Sequence, residues 1–487
     1  MNGTQTQFNL LDYRAEDGGI LDAWLDLYGD TWLYVTGYEA WYRWTGTHWS
    51  KDECLSIFAQ VQTLMDAMNK AAKDLLSKAY ADMGDPNLTK EEKEDIKDEA
   101  EQLKAYVNAT KRTRARVASV EGMAQAKRAT AAGRLDAGNV LNLRNGTLDL
   151  DAITLRPHCK ADHMTYCLDY DYDPDATCPR YEQFLSEVLV KEEQTEDGQW
   201  VTDFELCGLY QELKGYSLTN DTKFEVMTWL AGEGGNGKSV EIATTQKLLG
   251  PLCASIDFQT IGMPGNYDLS DIPGRRVIFS TESERGGKVA EGYLKRIVSG
   301  ERIKARPIYG SQFEFSSVSK VWWAMNDKPI IKDTGNSIWR RLKLIPFNRT
   351  FTEQDKDTTL GQKLEAELSG ILNFALDGLR RLRLRGRLPE SAAVTQAVKQ
   401  YKHESNPVAQ WVDECTIVKP GVETSALFIY ADYERWCVRN GRQSLNNVNF
   451  GKELRRLGVM SQRRKHGMVY GIGLLTPEGA AASAVNP

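Results

Sequence analysis

The sequence predicts an α/β protein built round one glycine-rich loop, with a mixed α+β region before that core and a helix, helix, hairpin unit after it. Three observations carry the prediction. "GEGGNGKS" (232–239) fits G-x-x-x-x-G-K-[ST] in full, between a strand-like "KFEVMTWL" (223–230) and a helical "KSVEIATTQKLLG" (238–250). Apolar strands in "RRVIFSTESERGG" (275–287) and "VSKVWWAMND" (318–327) follow it. Near the end, "SALFIYADYERWCVRNG" (425–441), "NVNFGKELRRLG" (447–458) and "SQRRKHGMVYGIGLL" (461–475) read as two helices and a hairpin.

At 487 residues the chain exceeds one core, and about three domains are expected at ~150 residues each. Its 41% hydrophobic and 26% charged content is that of a soluble globular protein. No apolar run approaches the ~20 residues that cross a bilayer, and "MNGTQTQFNLLDYRAEDGG" lacks the basic start and apolar core of a signal peptide. A cytoplasmic protein without a membrane partner is expected. Eight cysteines with no C-x-x-C pair favour reduced thiols over a disulfide framework. The net charge of −6 gives no argument for nucleic acid, so any such argument rests on distribution. Between Arg439 and Lys465 eight basic residues face one acid, Glu453, and five arginines fall between Arg380 and Arg387. The second run reads first as a solvated helix end.

The loop pattern has a physical reason at each position. Gly232, Gly234, Gly235 and Gly237, with Asn236 among them, let successive backbone N–H groups turn toward phosphate oxygens, and Val240 continues into the helix. Lys238 supplies a point charge between the β- and γ-phosphates, and the Ser239 hydroxyl is a ligand for Mg²⁺. A strand ending on Glu282 and Glu284 offers carboxylates to hold the Mg²⁺ shell and polarise water. Asn326 ends the next strand, and "SIWRRLKLIPF" (337–347) presents Arg340 and Arg341 ahead of another. Such an arginine pair suits a finger reaching a neighbour's phosphate.

The flanks are read more plainly. Five of the twelve tryptophans stand in residues 1–50, where "WYRWTGTHWS" turns at Thr45-Gly46; a small β-element with its own aromatic core is expected before a base-stacking surface. Residues 55–134 are helical and charged, with Thr89 placed to cap "KEEKEDIKDEAEQL". "VLNLRNGTLDLDAITLRPH" (140–158) reads as strands round an Asn-Gly turn. "DYDYDPD" is expected as an exposed strand edge rather than a metal site, since Pro174 and Arg180 exclude an EF-hand. His158, Cys159, His163 and Cys167 have poor spacing for zinc.

Taken with "NVLNLRNGTLDL", "CPRYEQFL", "STESERG", "LKRIVSGERIKARPIYGSQFEF", "VWWAMNDKPIIKDTGNSIWRRLKLIPF" and "ADYERWCVRNG", the chain resembles the superfamily 3 helicases, and within them the helicase part of phage and plasmid primase–helicases related to a poxvirus replication protein. The resemblance implies an AAA+-like core, a hexameric ring, ATP and Mg²⁺ bound between subunits, and 3′-to-5′ movement on single-stranded DNA. It makes Lys238 and Ser239 Walker A, places Glu282 and Glu284 in Walker B with Ser283 between them, and makes Asn326 sensor 1. It also suggests Lys295 near the ATP site and a channel hairpin carrying Lys304, Arg306 and Tyr309. The domains expected are an N-terminal α+β region (1–178), a helical collar with the ATPase (179–388) and a winged helix (389–487). DNA contacts in the last are expected at Arg455, Arg456, Arg463 and Arg464. The function expected is a replicative helicase of a phage or mobile element acting on single-stranded and forked DNA, with any primase or polymerase a separate protein. An ATP-switched origin-binding initiator and the helicase part of a primase–helicase system are the alternatives.

Overall fold

The computed structural model describes residues 12–14, 16–281, 287–308, 310–331, 335–352, 354–417 and 421–475. It divides into two compact units, Met1–Tyr172 and Asp173–Pro487.

The first unit begins with α1 (Asp17–Tyr28), then β1 (Trp32–Val35), β2 (Ala40–Trp44) and β3 (Trp49–Lys51). Helices α2 (Ser56–Asp82), α3 (Lys90–Ala109) and α4 (Arg114–Lys127) lead to β4 (Ala129–Thr130), which completes a sheet of order β3-β2-β1-β4. The tryptophans are its core: Trp41 meets Trp24 and Trp32 edge-on, both at 6.1 Å, and Trp24, Trp32, Trp41 and Trp49 are buried. Thr89 and Glu92 form the capping box that starts α3. A second antiparallel sheet joins β5 (Val140–Leu143), β6 (Gly146–Asp149) and β7 (Thr154–Arg156). Leu143 pairs with Gly146, so the turn residues are Arg144 and Asn145, one position earlier than the Asn-Gly reading.

The acidic row in this unit lies against an edge, with Leu168 bridged to Leu143 and Arg144 at 3.7 Å from Asp169 and 3.4 Å from Asp171. His158 is bound to Asn142 Oδ1 (2.9 Å), and among the described residues no group of three or more His, Cys, Asp or Glu is placed to hold a metal.

The second unit runs through α5 (Pro179–Val188), the hairpin β8 (Val190–Gln194) and β9 (Trp200–Thr202), and α6 (Phe204–Ser217) into a five-stranded parallel sheet. That sheet is made by β10 (Met227–Ala231), β11 (Cys253–Ser255), β12 (Val277–Ser280), β15 (Lys320–Met325) and β16 (Leu342–Pro346), in the order β11-β12-β15-β10-β16. Helix α7 (Lys238–Leu249) follows β10, and α8 (Glu291–Val298) with the hairpin β13 (Arg302–Ala305) and β14 (Phe313–Ser316) separates β12 from β15. Strands covered on both faces are largely apolar; β12 and β15 are buried at every position, with Ser280 and Lys320 the polar residues at their ends. Trp229 and Trp323 pack edge to face at 4.9 Å in this core, while the Trp322 indole donates to Ser217 Oγ on α6 at 3.0 Å.

After the sheet come α9 (Leu360–Ala366), α10 (Leu368–Arg385), α11 (Ala392–Glu404) and α12 (Pro407–Cys415). Helices α6 and α10 approach through two glycines: a Cβ on Gly215 would meet Ala375 O at 2.2 Å, and one on Gly378 would meet Gln211 O at 2.2 Å. The arginine run is therefore more than a solvated helix end. Arg385 holds the buried Glu212 carboxylate at 2.6 Å, Arg381 donates to Gln211 at 2.6 Å, and both fasten α10 to α6. Then β17 (Thr416–Ile417), β18 (Thr424–Ser425), α13 (Ala426–Arg439), α14 (Asn447–Arg456), β19 (Ser461–Arg464), β20 (Gly467–Tyr470) and β21 (Gly473–Leu474) follow. Strands β18, β20 and β19 make one small sheet, Tyr433 stacks on Phe450 at 4.6 Å beneath it, and the Asn446 side chain caps α14.

One buried ion pair bears on the glycine-rich loop. Lys214 of α6 donates to Glu241 Oε1 of α7 at 2.5 Å, with Thr245 at 2.6 Å from the same ammonium, and both charges are nearly inaccessible. Burial pulls the Lys214 ammonium below its ordinary pKa, and Glu241 opposes that shift. Removing one partner strands the other charge, so Glu241→Ala is expected to cost about 3–5 kcal/mol of stability. Denaturant unfolding measures this directly; a loss under about 1 kcal/mol would show that water reaches the pair.

Candidate active site

In a parallel sheet the carboxyl ends of the strands share one edge, and a ligand site opens there. Four segments meet at that edge: the loop after β10, Asn326 after β15, the chain leaving β12, and residues 347–352 after β16. The loop keeps left-handed backbone at Gly234 (φ 108°), Gly235 (φ 60°) and Gly237 (φ 89°). Gly232 has no room for a side chain, since a Cβ there would lie 2.0 Å from the Asn236 amide and 2.6 Å from Phe347 O. Helix α7 starts at Lys238 with no side-chain cap, which leaves its first N–H groups for a ligand.

Lys238 Nζ donates to Gly232 O (2.7 Å) and Asn236 Oδ1 (2.8 Å), and Asn236 Nδ2 donates to Phe347 O (3.2 Å). Asn236 and Lys238 are buried, Ser239 and Asn326 exposed, and Val240 half-buried. The donor set fits a polyphosphate: backbone N–H groups, one ammonium and, at the second residue of α7, a hydroxyl suited to Mg²⁺. The expected carboxylates Glu282 and Glu284, like Tyr309 of the hairpin, lie outside the described residues.

Burial lowers the Lys238 pKa to about 8. The unliganded loop therefore releases this proton as pH rises through about 8, whereas phosphate charge restores the ammonium. Triphosphate affinity is expected to be level below that pH and to fall up to about tenfold per unit above it, with proton uptake on binding. Calorimetric titration in two buffers of different ionisation enthalpy checks both; an affinity flat from pH 7 to 9.5 rules the effect out.

The arginine pair stands at the other end of the sheet. Register pairs Met227 with Leu342, so Arg340 and Arg341 precede β16 at the edge where β10 begins. A five-residue strand, about 15 Å long, separates them from Gly232. Arg341 is buried and donates to Glu225 Oε2 (2.5 Å), Ser299 Oγ (3.1 Å) and Ser337 O (2.7 Å). Arg340 is exposed and reaches Glu225 only at 3.9 Å. Glu225 itself has left-handed backbone (φ 48°). Sequence reading missed this carboxylate, because its tie to Arg341 spans 116 residues. Lys295, expected near the nucleotide, donates to Ser337 Oγ at 3.2 Å. It therefore stands beside this chain's own arginines and away from its own glycine-rich loop.

Between the edges, β13 pairs with β14 so that Ile303 and Ala305 point into the core and Arg302 and Lys304 point out. Lys304 lies 3.5 Å from Glu314 across the hairpin; Arg306 is exposed and donates to Gly310 O (3.0 Å), near an exposed Ile308. Near the end of the second unit Lys452, Arg455, Arg456, Arg463 and Lys465 are exposed; Arg456 contacts Glu453 at 3.4 Å, and Arg464 is held by Glu423 at 2.7 Å.

Residues 22–190 match the family described as D5 N terminal like, and residues 230–341 match a family of unknown function (DUF5906). Viral proteins named Putative helicase are among its relatives. L207/L206 of Acanthamoeba polyphaga mimivirus is 25% identical over 338 residues (63% of this chain, 34% of the relative). 121R of Invertebrate iridescent virus 3 is 23% identical over 384 residues (71% and 39%). The chain thus spans about a third of the length of these relatives. The apo C-terminal region of NrS-1 overlaps at a TM-score of 0.37 with 12% identity, covering 62% of this chain and 77% of that one. Over the matched residues the chain is similar to the D5-like helicases of phages and viruses. Among its described residues, no helix is long and apolar enough to cross a membrane.

Proposed function

We propose that the chain is an ATP-driven, ring-forming replicative helicase with an AAA+-like core, and that two copies build each ATP site. One observation carries this reading: the glycine-rich loop and the exposed Arg340 stand at opposite edges of one parallel sheet. Arg340 can meet phosphates only on another copy, and a head-to-tail contact repeated by rotation closes a ring, here a hexamer by family resemblance. Within each site Lys238 and the loop N–H groups bind the β- and γ-phosphates of ATP, Ser239 and Glu282 hold Mg²⁺, which offsets phosphate charge, and Glu282 or Glu284 orders the attacking water. Asn326 faces the γ-phosphate. Arg340 rather than Arg341 is the finger, since Arg341 is tied to Glu225. The decisive experiment is ATP-dependent unwinding of a forked duplex by purified protein; no unwinding by the wild type, or equal unwinding by Lys238→Ala, would refute the reading.

DNA tracking falls to the hairpin. Lys304 and Arg306 are exposed at its tip, and a phosphate can replace Glu314 beside Lys304. Lys304→Ala and Arg306→Ala are each expected to weaken single-strand binding for every sequence alike, lower the salt slope of log K by about 1, and stop unwinding. Fluorescence anisotropy across a salt series measures this; unwinding left intact would remove the hairpin from the mechanism. A separate primase or polymerase is the expected partner at the fork, and 3′-to-5′ polarity the expected direction.

The second reading, an ATP-switched origin-binding initiator, draws on the last domain. Two helices and a β18-β20-β19 sheet form a winged-helix arrangement whose α14 exposes Lys452, Arg455 and Arg456, with Arg463 on the wing. Tight, site-specific duplex binding with no unwinding on any substrate would favour it.

A further inference from the structure

The segment leaving β16 is fastened to the glycine-rich loop and carries a stacked cation and ring. Phe347 N–H donates to Ala231 O (2.8 Å) and Phe351 N–H to Gly235 O (2.8 Å). Asn236 Nδ2 donates to Phe347 O, and Asn348 Nδ2 donates to Val190 O on the β8 hairpin (3.2 Å each). These bonds tie residues 347–351 to both walls of the loop. On that frame the Arg349 guanidinium lies 4.4 Å from the centroid of the Phe351 ring, and both side chains are half-buried.

We propose that Phe351 and Arg349 are the nucleobase seat of the triphosphate site, an inference that rests on the nucleotide reading above. A triphosphate held by the loop and by the start of α7 leaves its base one ribose away, among the residues bonded to Gly235 and Ala231. An aromatic face beside a planar cation is a surface on which any base stacks, because every base offers a π-face. The fastening sets the distance between base and phosphates before the ligand arrives, which reduces the ordering cost of binding.

Inorganic tripolyphosphate tests this, since it offers the phosphates without the base. Binding of ATP and of tripolyphosphate is measured on the wild type, Phe351→Ala, Phe351→Trp and a Lys238→Ala control. Phe351→Ala is expected to weaken ATP about tenfold and leave tripolyphosphate unchanged. Phe351→Trp is expected to restore ATP binding and to show a quench on ATP beyond that of the wild type, with none on tripolyphosphate. Equal weakening of both ligands by Phe351→Ala would overturn the proposal, because the segment would then only shape the loop. Unchanged ATP affinity, or no added quench in Phe351→Trp, would overturn it also. Loss of both ligands in Lys238→Ala reports on the loop alone, and a wild type that binds neither ligand overturns the nucleotide reading and this proposal together.

Discussion

Replacing Lys238 with alanine is expected to lower ATP turnover by about 10²- to 10³-fold, the usual loss when one preorganised charge aimed at the transition state is removed. The structure adds a second loss. Lys238 bridges Gly232 O and Asn236 Oδ1, so its removal also frees the amide that reaches Phe347. Steady-state phosphate release measures the effect, and an unchanged melting temperature separates it from unfolding. Turnover within a few fold of the wild type would sink the phosphate-loop assignment.

Arg340→Ala is expected to reduce hydrolysis by about 10³-fold while leaving nucleotide affinity intact, the range of an arginine finger. Arg341→Ala is expected to lower the melting temperature instead, since it removes the partner of Glu225 and the bond to Ser299. Complementation tests the trans arrangement. Mixing Lys238→Ala with Arg340→Ala protein, each inactive alone, places some intact loops against some intact fingers. With random assembly at equal amounts about a quarter of sites are complete, and that share of wild-type turnover is the expected upper value. No recovery in exchanging mixtures would show that the finger does not act between copies.

The loop was legible in the sequence because its constraints are local: each glycine answers to backbone geometry within a few residues, and the flanking strand and helix announce themselves by pattern. The Thr89 box and the three elements near the C-terminus were readable for the same reason. What stayed hidden depends on partners far along the chain. Arg340 and Arg341 are adjacent and chemically alike; bonds to Glu225 and Ser299, distant in sequence, hold Arg341 inward while Arg340 stays exposed. The arginines at 381 and 385 read as a solvated helix end until Glu212 appears beneath them. Lys295 came from resemblance alone, and its place beside the arginines depends on Ser337, 42 residues further along the chain.

On the proposed reading, the opposed placement of loop and arginine gives an assembly of copies an arithmetic. A head-to-tail row of n copies that does not close has n − 1 complete sites, with one loop and one arginine left over at its ends. Closure adds the last site without adding a subunit. On the proposed reading, turnover per chain is therefore not a constant of the protein: it vanishes for an isolated copy, climbs as rows lengthen, and reaches its ceiling only when the row meets itself. Specific activity that rises with protein concentration and then levels off is the behaviour such a chain should show.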